Sequence, residues 1–318
     1  MTYSIGGLIQ ATDYNGFADT TVGANVNATW GTGATSAGYG QTAISTVAAA
    51  GTVTATQWST LVNTISSMAS HQGTTITART APVAGNTISI LSAVNTDITN
   101  CYNNRGNAVA NGTQFTGWTG TNSKTAATSG ATWTITFTNT VTFASADAAR
   151  YFFNAGGRIK IDVSKTSTGN TGDPEWNDLA NTLCGDIFIT GGDYSQTIAG
   201  VVYTGTTKSG GTGTPNTLAT TTGWFDLTGT PTIVYKQFAD TAPYTSNFIQ
   251  HSLSATATVL TITTLWSASD GDSITGGTAA SGATPGTAPC TIVTYFPPST
   301  TYLTTASWGT PSVAATTT

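Results

Sequence analysis

"TWTITFTNTVTF", residues 132–143, decides the fold class. Trp133, Ile135, Phe137, Val141 and Phe143 alternate with threonines, and a period of two puts all of these large apolar side chains on one face of an extended strand. Thr is β-branched and stiff at χ1, which favours strands, and its hydroxyl keeps the opposite face wettable without charge. The stretch therefore reads as a strand buried on one side only, the kind that antiparallel sheets use.

The same alternation returns in "RIKIDVS" (158–164), "VVYTGT" (201–206) and "TATVLTITTLW" (256–266). In the first of these, Ile159, Ile161 and Val163 are expected to face a core, while Arg158, Lys160 and Asp162 fall on the solvent side by alternation. Strands far apart in sequence, joined by Gly/Thr loops, predict an antiparallel β-sandwich. One helix interrupts them: "GDPEWNDLANTLCG" (172–185) has Asp173 as N-cap, Pro174 at N1, Glu175 in the first turn and Gly185 as its stop. Its apolar stripe, Trp176, Leu179, Ala180 and Leu183, predicts a helix lying across the sandwich.

Before about residue 113 the period is that of a helix. In "TATQWSTLVNTISSMASHQG" (54–73), Trp58, Leu61, Val62, Ile65, Met68 and Ala69 share one face, Thr54 and Gln57 form a capping box, and Gly73 is the stop. A second helix is predicted over 86–106, with Ile88, Leu91, Val94, Ile98, Cys101 and Tyr102 as its stripe and Gly106 at its end. A shorter one starts at Thr12, with Tyr14, Phe17 and Ala18 inward. The chain thus reads as α+β, mainly β: a small helical N-terminal docking unit, 1–112, followed by a β-sandwich domain, 113–318, with one lying helix.

Only 7% of the 318 residues are charged, and 9 Lys+Arg against 14 Asp+Glu leave a net charge of −5. The absence of any basic run argues against nucleic acid as a partner, since such binding neutralises phosphates. Cys101, Cys184 and Cys290 have neither disulfide nor zinc spacing and read as free thiols. The first residues lack the pattern of a signal peptide, and no stretch approaches the roughly 18 apolar residues of a membrane span, so cytosolic synthesis without membrane insertion is expected.

Candidate chemistry is sparse. His71 and His251 are the two histidines; the first fits a helix end and the second a strand. "GGD" (191–193) and "DGD" (270–272) read as turns before they read as Ca²⁺ ligands. No pair of carboxylates stands out for glycoside hydrolysis, so no cofactor, no metal and no catalytic activity are expected.

"ARYFFNAGGRIKI" (149–161) is the exception to the low charge, with Arg150, Arg158 and Lys160 beside three consecutive aromatics. Ser145 caps a short helix, "NAGG" turns the chain, and the strand at 158 follows. Arg and aromatic side chains are enriched at protein contacts, so Arg150, Tyr151, Arg158 and Lys160 are candidate interface residues, with Trp58 as a docking residue of the helical unit. Because Arg158 and Lys160 are expected to point away from the core, serine at both is expected to leave the fold intact and to weaken association if the cluster is an interface.

"DYNGF" (13–17), "GYGQ" (38–41) and the helix at 54–73 resemble the N-terminal region of virion structural proteins of tailed bacteriophages, cyanophages among them. "ARYFFNAGGRIKI" and "YFPPSTTYLTTASWGTP" (295–311) look like further elements of the same family, in the same order. The resemblance implies a structural part of the tail, baseplate or fibre attachment, assembled in the host cytoplasm and located in the virion. Its implied partners are other virion proteins and further copies of itself, with a trimer suggested by analogy. A capsid decoration protein and an adhesin that binds host-surface glycan are the alternatives.

Overall fold

The computed structural model describes residues 10–20, 23–33, 37–85, 93–115, 132–166, 173–268 and 289–318. Four helices come first: α1 (Ala11–Ala18), α2 (Val26–Thr29), α3 (Ala55–Gln72) and α4 (Val94–Asn103). Then follow β1 (Trp133–Thr142), α5 (Ala146–Asn154), β2 (Arg158–Lys165), α6 (Asp173–Asp178, continuing as π-type turns through Leu179–Cys184), β3 (Asp186–Ile189), β4 (Gln196–Ile198), β5 (Val201–Tyr203) and β6 (Thr206–Ser209). The chain closes with β7 (Thr217–Leu218), β8 (Thr232–Phe238), β9 (Phe248–Ala255), β10 (Val259–Ala268), β11 (Pro289–Phe296) and β12 (Ser312–Thr317). The fold is α+β and mainly β.

All strand pairings within the sheets are antiparallel. One sheet has the order β12-β1-β10-β9-β8-β7, a second the order β11-β2-β3-β6, and β4-β5 form a small hairpin of their own. The β1 stretch pairs with β10 along its whole length, from Trp133 opposite Ala268 to Thr142 opposite Val259. Its alternation is that expected from sequence, with Trp133, Ile135, Phe137, Asn139 and Val141 buried. The inner faces of the two sheets share one apolar core, in which Trp266 of β10 donates its Nε1–H to Thr291 Oγ1 of β11 across 3.4 Å.

The α6 helix packs against strands of both sheets. Trp176 stacks on Trp266 at 5.8 Å and lies 4.9 Å from the Trp133 ring, and Tyr235 of β8 donates its hydroxyl to Cys184 O at 3.1 Å. Asn181 then clamps the end of β2, accepting from Lys165 N at 3.0 Å and donating to Lys165 O at 2.8 Å.

The helical part differs from expectation in detail. The α3 cap is as read: Gln57 N donates to Thr54 Oγ1, Thr54 N donates to Gln57 Oε1, and Gly73 is left-handed with φ 73°. The α1 cap is Gln10 rather than Thr12, because Gln10 N finds the Asp13 carboxylate one turn on. The α4 helix ends on Asn103, before Gly106, and buries Val94, Ile98 and Cys101 but not Tyr102; Ile88 and Leu91 lie outside the described residues. One buried apolar cluster contains Tyr14, Trp58 and Ile98 from these helices together with Phe152, Ile161 and Trp266 from the sheet region.

The α5 helix is one of the elements that join the two regions. Ser145 Oγ caps it by accepting from Ala148 N at 3.0 Å. Phe152 and Phe153 turn toward the sheets and meet Phe143, Trp224 and Tyr295, with Phe153 stacked on Trp224 at 5.2 Å. On its other side Tyr151 covers Gly40, and Asn154 Nδ2 donates to Gly38 O at 2.9 Å.

Gly40 has φ +69°, and a Cβ built there would lie 2.3 Å from the Tyr151 ring. Gly40→Ala should therefore destabilise the chain by about 2–4 kcal/mol in urea unfolding, through overpacking and left-handed strain together. In a Tyr151→Ala background the added penalty should shrink toward the backbone part, about 1–2 kcal/mol. Equal penalties in the two backgrounds would show that the ring does not set the requirement for glycine.

Candidate functional site

The corner built from α5 and β2 holds four of the five residues singled out by sequence. Arg150 donates to Thr32 O at 2.6 Å, pairs with Asp147 at 3.0 Å and lies 4.4 Å over the ring of Tyr151. Tyr151 itself is buried. These two side chains tie α5 to Thr32 and Gly40.

Arg158 overturns the solvent-face expectation. Alternation does place it on the outer face of the β11-β2-β3-β6 sheet, opposite the side that carries Ile159 and Ile161. That face, however, is covered at this end by a second layer, a small apolar cluster of Ala108, Phe188, Ile198 and Tyr203 with Phe296 packed against it. The β4-β5 hairpin is zipped onto the 106–108 segment: Gln196 Nε2 donates to Gly106 O, Ala108 N to Thr197 O and Ala199 N to Ala108 O, all within 3.0 Å. Gly156, at φ +90°, leaves room for Ala108, since a Cβ there would stand 2.8 Å from the Ala108 methyl.

Under this cover Arg158 is only 2% exposed. It sits 4.4 Å from the Tyr203 ring centre, 5.1 Å from Phe296 and 5.6 Å from Phe188, and Nη2 donates to Asn111 Oδ1 at 2.7 Å. Its Nε and Nη1 have no hydrogen-bond partner among the described residues. Burial lowers its pKa from the usual arginine value, with the Tyr203 phenol acting in the opposite sense. Ring quadrupoles partly offset the lost hydration of the cation. Serine at 158 would empty this box, so the expectation that the double serine variant leaves the fold intact does not hold.

Lys160, two residues on, lies at the margin of the cover. Its Nζ is 3.4 Å from both Asp162 and Asp186, and its side chain is 16% exposed. Trp58 is no docking residue on the surface: it is fully buried, with Tyr14 edge-on at 5.5 Å and Phe17 at 6.1 Å. The corner is therefore internal architecture, and its side chains are held by this chain's own groups.

Both histidines are also interior. His71 Nε2 meets Ala155 O at 3.0 Å, a contact between α3 and the end of α5 rather than a cap on its own helix. His251 Nδ1 meets Thr264 Oγ1 at 2.9 Å and the ring stacks on Tyr235 at 5.2 Å. Burial lowers the two pKa values, to about 4 for His71 and about 3 for His251. "GGD" (191–193) is a bend held by Phe225 N to Gly191 O and Gly205 N to Gly192 O, whereas "DGD" (270–272) lies outside the described residues.

One further concave surface was missed by sequence reading. A groove of about 700 Å³ runs between the 212–216 loop and the β8-β9 connection, lined by Asn216, Gln237, Phe238 and Asp240 among others. These residues are scattered over loops and carry no spacing motif; only the clustering of amide and hydroxyl side chains in Gly/Thr loops hints at it.

Comparison with known proteins gave no matching family, no matching curated protein and no matching solved structure.

Arg158→Ser should cost about 2–4 kcal/mol by leaving a cavity among three rings, whereas Arg158→Met, which fills the box without a buried charge, should stay within about 1 kcal/mol of the parent. Unfolding of the serine variant at the parent's urea concentration would show that the box is not structural. The histidines make a separate prediction. Each is held neutral in the folded chain, while the unfolded chain binds a proton near pH 6.5, so stability is full above that pH and falls as the pH drops toward 4. Each histidine contributes a slope of about 1.4 kcal/mol per pH unit inside that window. A His71→Gln variant should have a shallower acid slope by that amount, measured by urea unfolding from pH 7 to pH 4.5.

Proposed function

We propose that this chain is a structural component of a phage virion, in the tail, baseplate or fibre attachment, that acts by protein–protein assembly rather than by catalysis. The observation that carries the reading is how its few cations are used. Arg79 pairs with Asp97, Arg105 lies over Tyr102, and Arg150, Arg158 and Lys160 are held as described above. Lys165 and Lys208 donate to backbone carbonyls, and Lys236 sits 3.7 Å over the Phe248 ring. All eight described cations are thus engaged within the chain, which leaves hydroxyls, amides, small apolar groups and scattered carboxylates such as Asp19 and Asp193 on the outer surface. Such a surface has little charge repulsion to keep copies apart.

Val201 and Val202, at the start of β5, are 47% and 58% exposed, and Val109 on the adjoining segment is 50% exposed. Further copies or neighbouring virion proteins are the partners this reading assigns to them, with a homotrimer as the first expectation. Covering Val201 and Val202 would contribute about 2–4 kcal/mol per protomer. The ordered sequence resemblance supports the same reading; a capsid decoration role differs only in where the protein docks.

Sedimentation of the full chain should show an oligomer at micromolar concentration. A Val201→Lys/Val202→Lys variant should sediment as a monomer with an unchanged circular-dichroism spectrum. A parent chain that stays monomeric throughout, and is absent from purified particles by mass spectrometry, would overturn the proposal.

A further inference from the structure

The connection from β8 to β9, residues 239–247, forms one wall of the groove through Ala239, Asp240 and Thr245. The facing wall is pinned by Lys208, whose Nζ donates to Gly211 O at 3.0 Å and to Gly213 O at 2.7 Å. The connection is pinned at its base, where Ala239 N donates to Asn247 O and Asn247 N to Tyr244 O, each at 2.9 Å. Between these bonds, Asp240 and Thr241 face Glu175 in the first turn of α6. Glu175 is 7% exposed, and its Oε1 has no hydrogen-bond partner among the described residues. A buried carboxylate oxygen without a donor is costly, and a cation beside it would offset that cost. Among the described residues the charges that face Glu175 are instead two further carboxylates, Asp178 of its own helix and Asp240 of the connection.

One hydroxyl stands between the two acids. Thr241 faces Glu175, but its hydroxyl carries a single proton and gives it to Asp240 Oδ1 at 3.1 Å. While both carboxyls are ionised each can only accept, so Glu175 goes without that proton. A proton on Glu175 removes the conflict. Glu175 then donates to Thr241 Oγ1, Thr241 goes on donating to Asp240, and the like-charge repulsion across the contact is lost. Asp240 lies at an exposed position where water solvates its charge, whereas Glu175 is closed off, so Glu175 is the acid that takes the proton. Burial first, and then the two neighbouring carboxylates, raise the Glu175 pKa above its usual value, with the Thr241 contacts acting in the opposite sense.

We propose that Glu175, Thr241 and Asp240 form a proton-operated clasp: protonated Glu175 holds residues 240–244 against α6, and ionised Glu175 releases them, loosening the groove wall at Asp240. The folded chain keeps a proton that the unfolded chain gives up in the ordinary glutamate range. The clasp is therefore fully closed below that range and is lost as the pH rises through the raised folded value, the opposite sense to the two histidines. The test is amide hydrogen exchange of residues 240–247 in the full chain, from about pH 4.5 to about pH 8 and corrected for the intrinsic exchange rate. Parent protection is divided by that of Glu175→Gln at each pH, which cancels the histidine contribution. The ratio is expected to fall by at least about threefold as the pH rises, because the glutamine amide donates to Thr241 at every pH. Thr241→Ser, which keeps the hydroxyl, should follow the parent, and Thr241→Val, which lacks it, should lose the response. A ratio that stays level with pH, or a valine variant that responds as the parent does, would rule the clasp out.

Discussion

The fold depends on one nine-residue helix, α5, that must satisfy two surfaces at once. It leaves β1 of one sheet and delivers the chain to β2 of the other, so its position sets how the sheets are joined. Phe152 and Phe153 fill the end of the space between them, against Phe143, Trp224 and Tyr295. From the same short element, Arg150, Tyr151 and Asn154 reach Thr32, Gly40 and Gly38, and the carbonyl of Ala155 receives His71 from α3. Clustered aromatic pairs add to simple area burial, and buried hydrogen bonds to backbone carbonyls are costly to leave unmade. The α5 contacts thus add directed bonds to a core that the helical region and the sheets share, beside those that join Gln41 to Thr304 and Ser307 to Gly40.

The same economy explains the burial of Arg158. A residue that alternation puts on the outer face of a sheet meets solvent only if nothing else covers that face. Here the β4-β5 hairpin and the 106–112 segment cover it, and the α3 terminus holds the cover in place because Val109 N donates to His71 O at 2.8 Å. Among the described residues the cation has no acidic partner and is held by three rings and one amide oxygen, an arrangement that costs hydration and recovers only part of it. Its retention at the base of the hairpin fits a role in fixing where the hairpin lies, since the flat guanidinium faces rings contributed by β3, β5 and β11.

What was legible in the sequence was local. The period of two in β1, β2 and β10, the capping box of Thr54 and the apolar stripe of α6 all depend on neighbours within a few residues, and each appears as read. What was not legible depends on long-range covering. Burial of Trp58, Tyr151 and Arg158 is decided by segments dozens of residues away, and the groove at Asn216 and Asp240 is assembled from two loops that share no motif. Gly40 shows the limit well: its loop was readable from composition, but the need for glycine arises from a ring 111 positions later, as the numbers 40 and 151 give by subtraction.

Threonine connects these points. In most proteins a surface is kept soluble, and its contacts are kept selective, by Lys, Arg, Asp and Glu. Here the described cations are turned inward or tied to carbonyls, carboxylates and rings, and hydroxyls take over the outer faces of β1 and β10. A hydroxyl face hydrogen-bonds to water without long-range repulsion, and it bonds equally well to another hydroxyl, an amide or a backbone edge. Selectivity on such a surface must come from shape and from fixed donors, because charge patterns are not available to supply it. The two outward features that have both shape and rigidity are the valine hairpin over Arg158 and the pinned groove beside β8. Those are the places where selective contact would be favoured over nonspecific contact along the threonine faces.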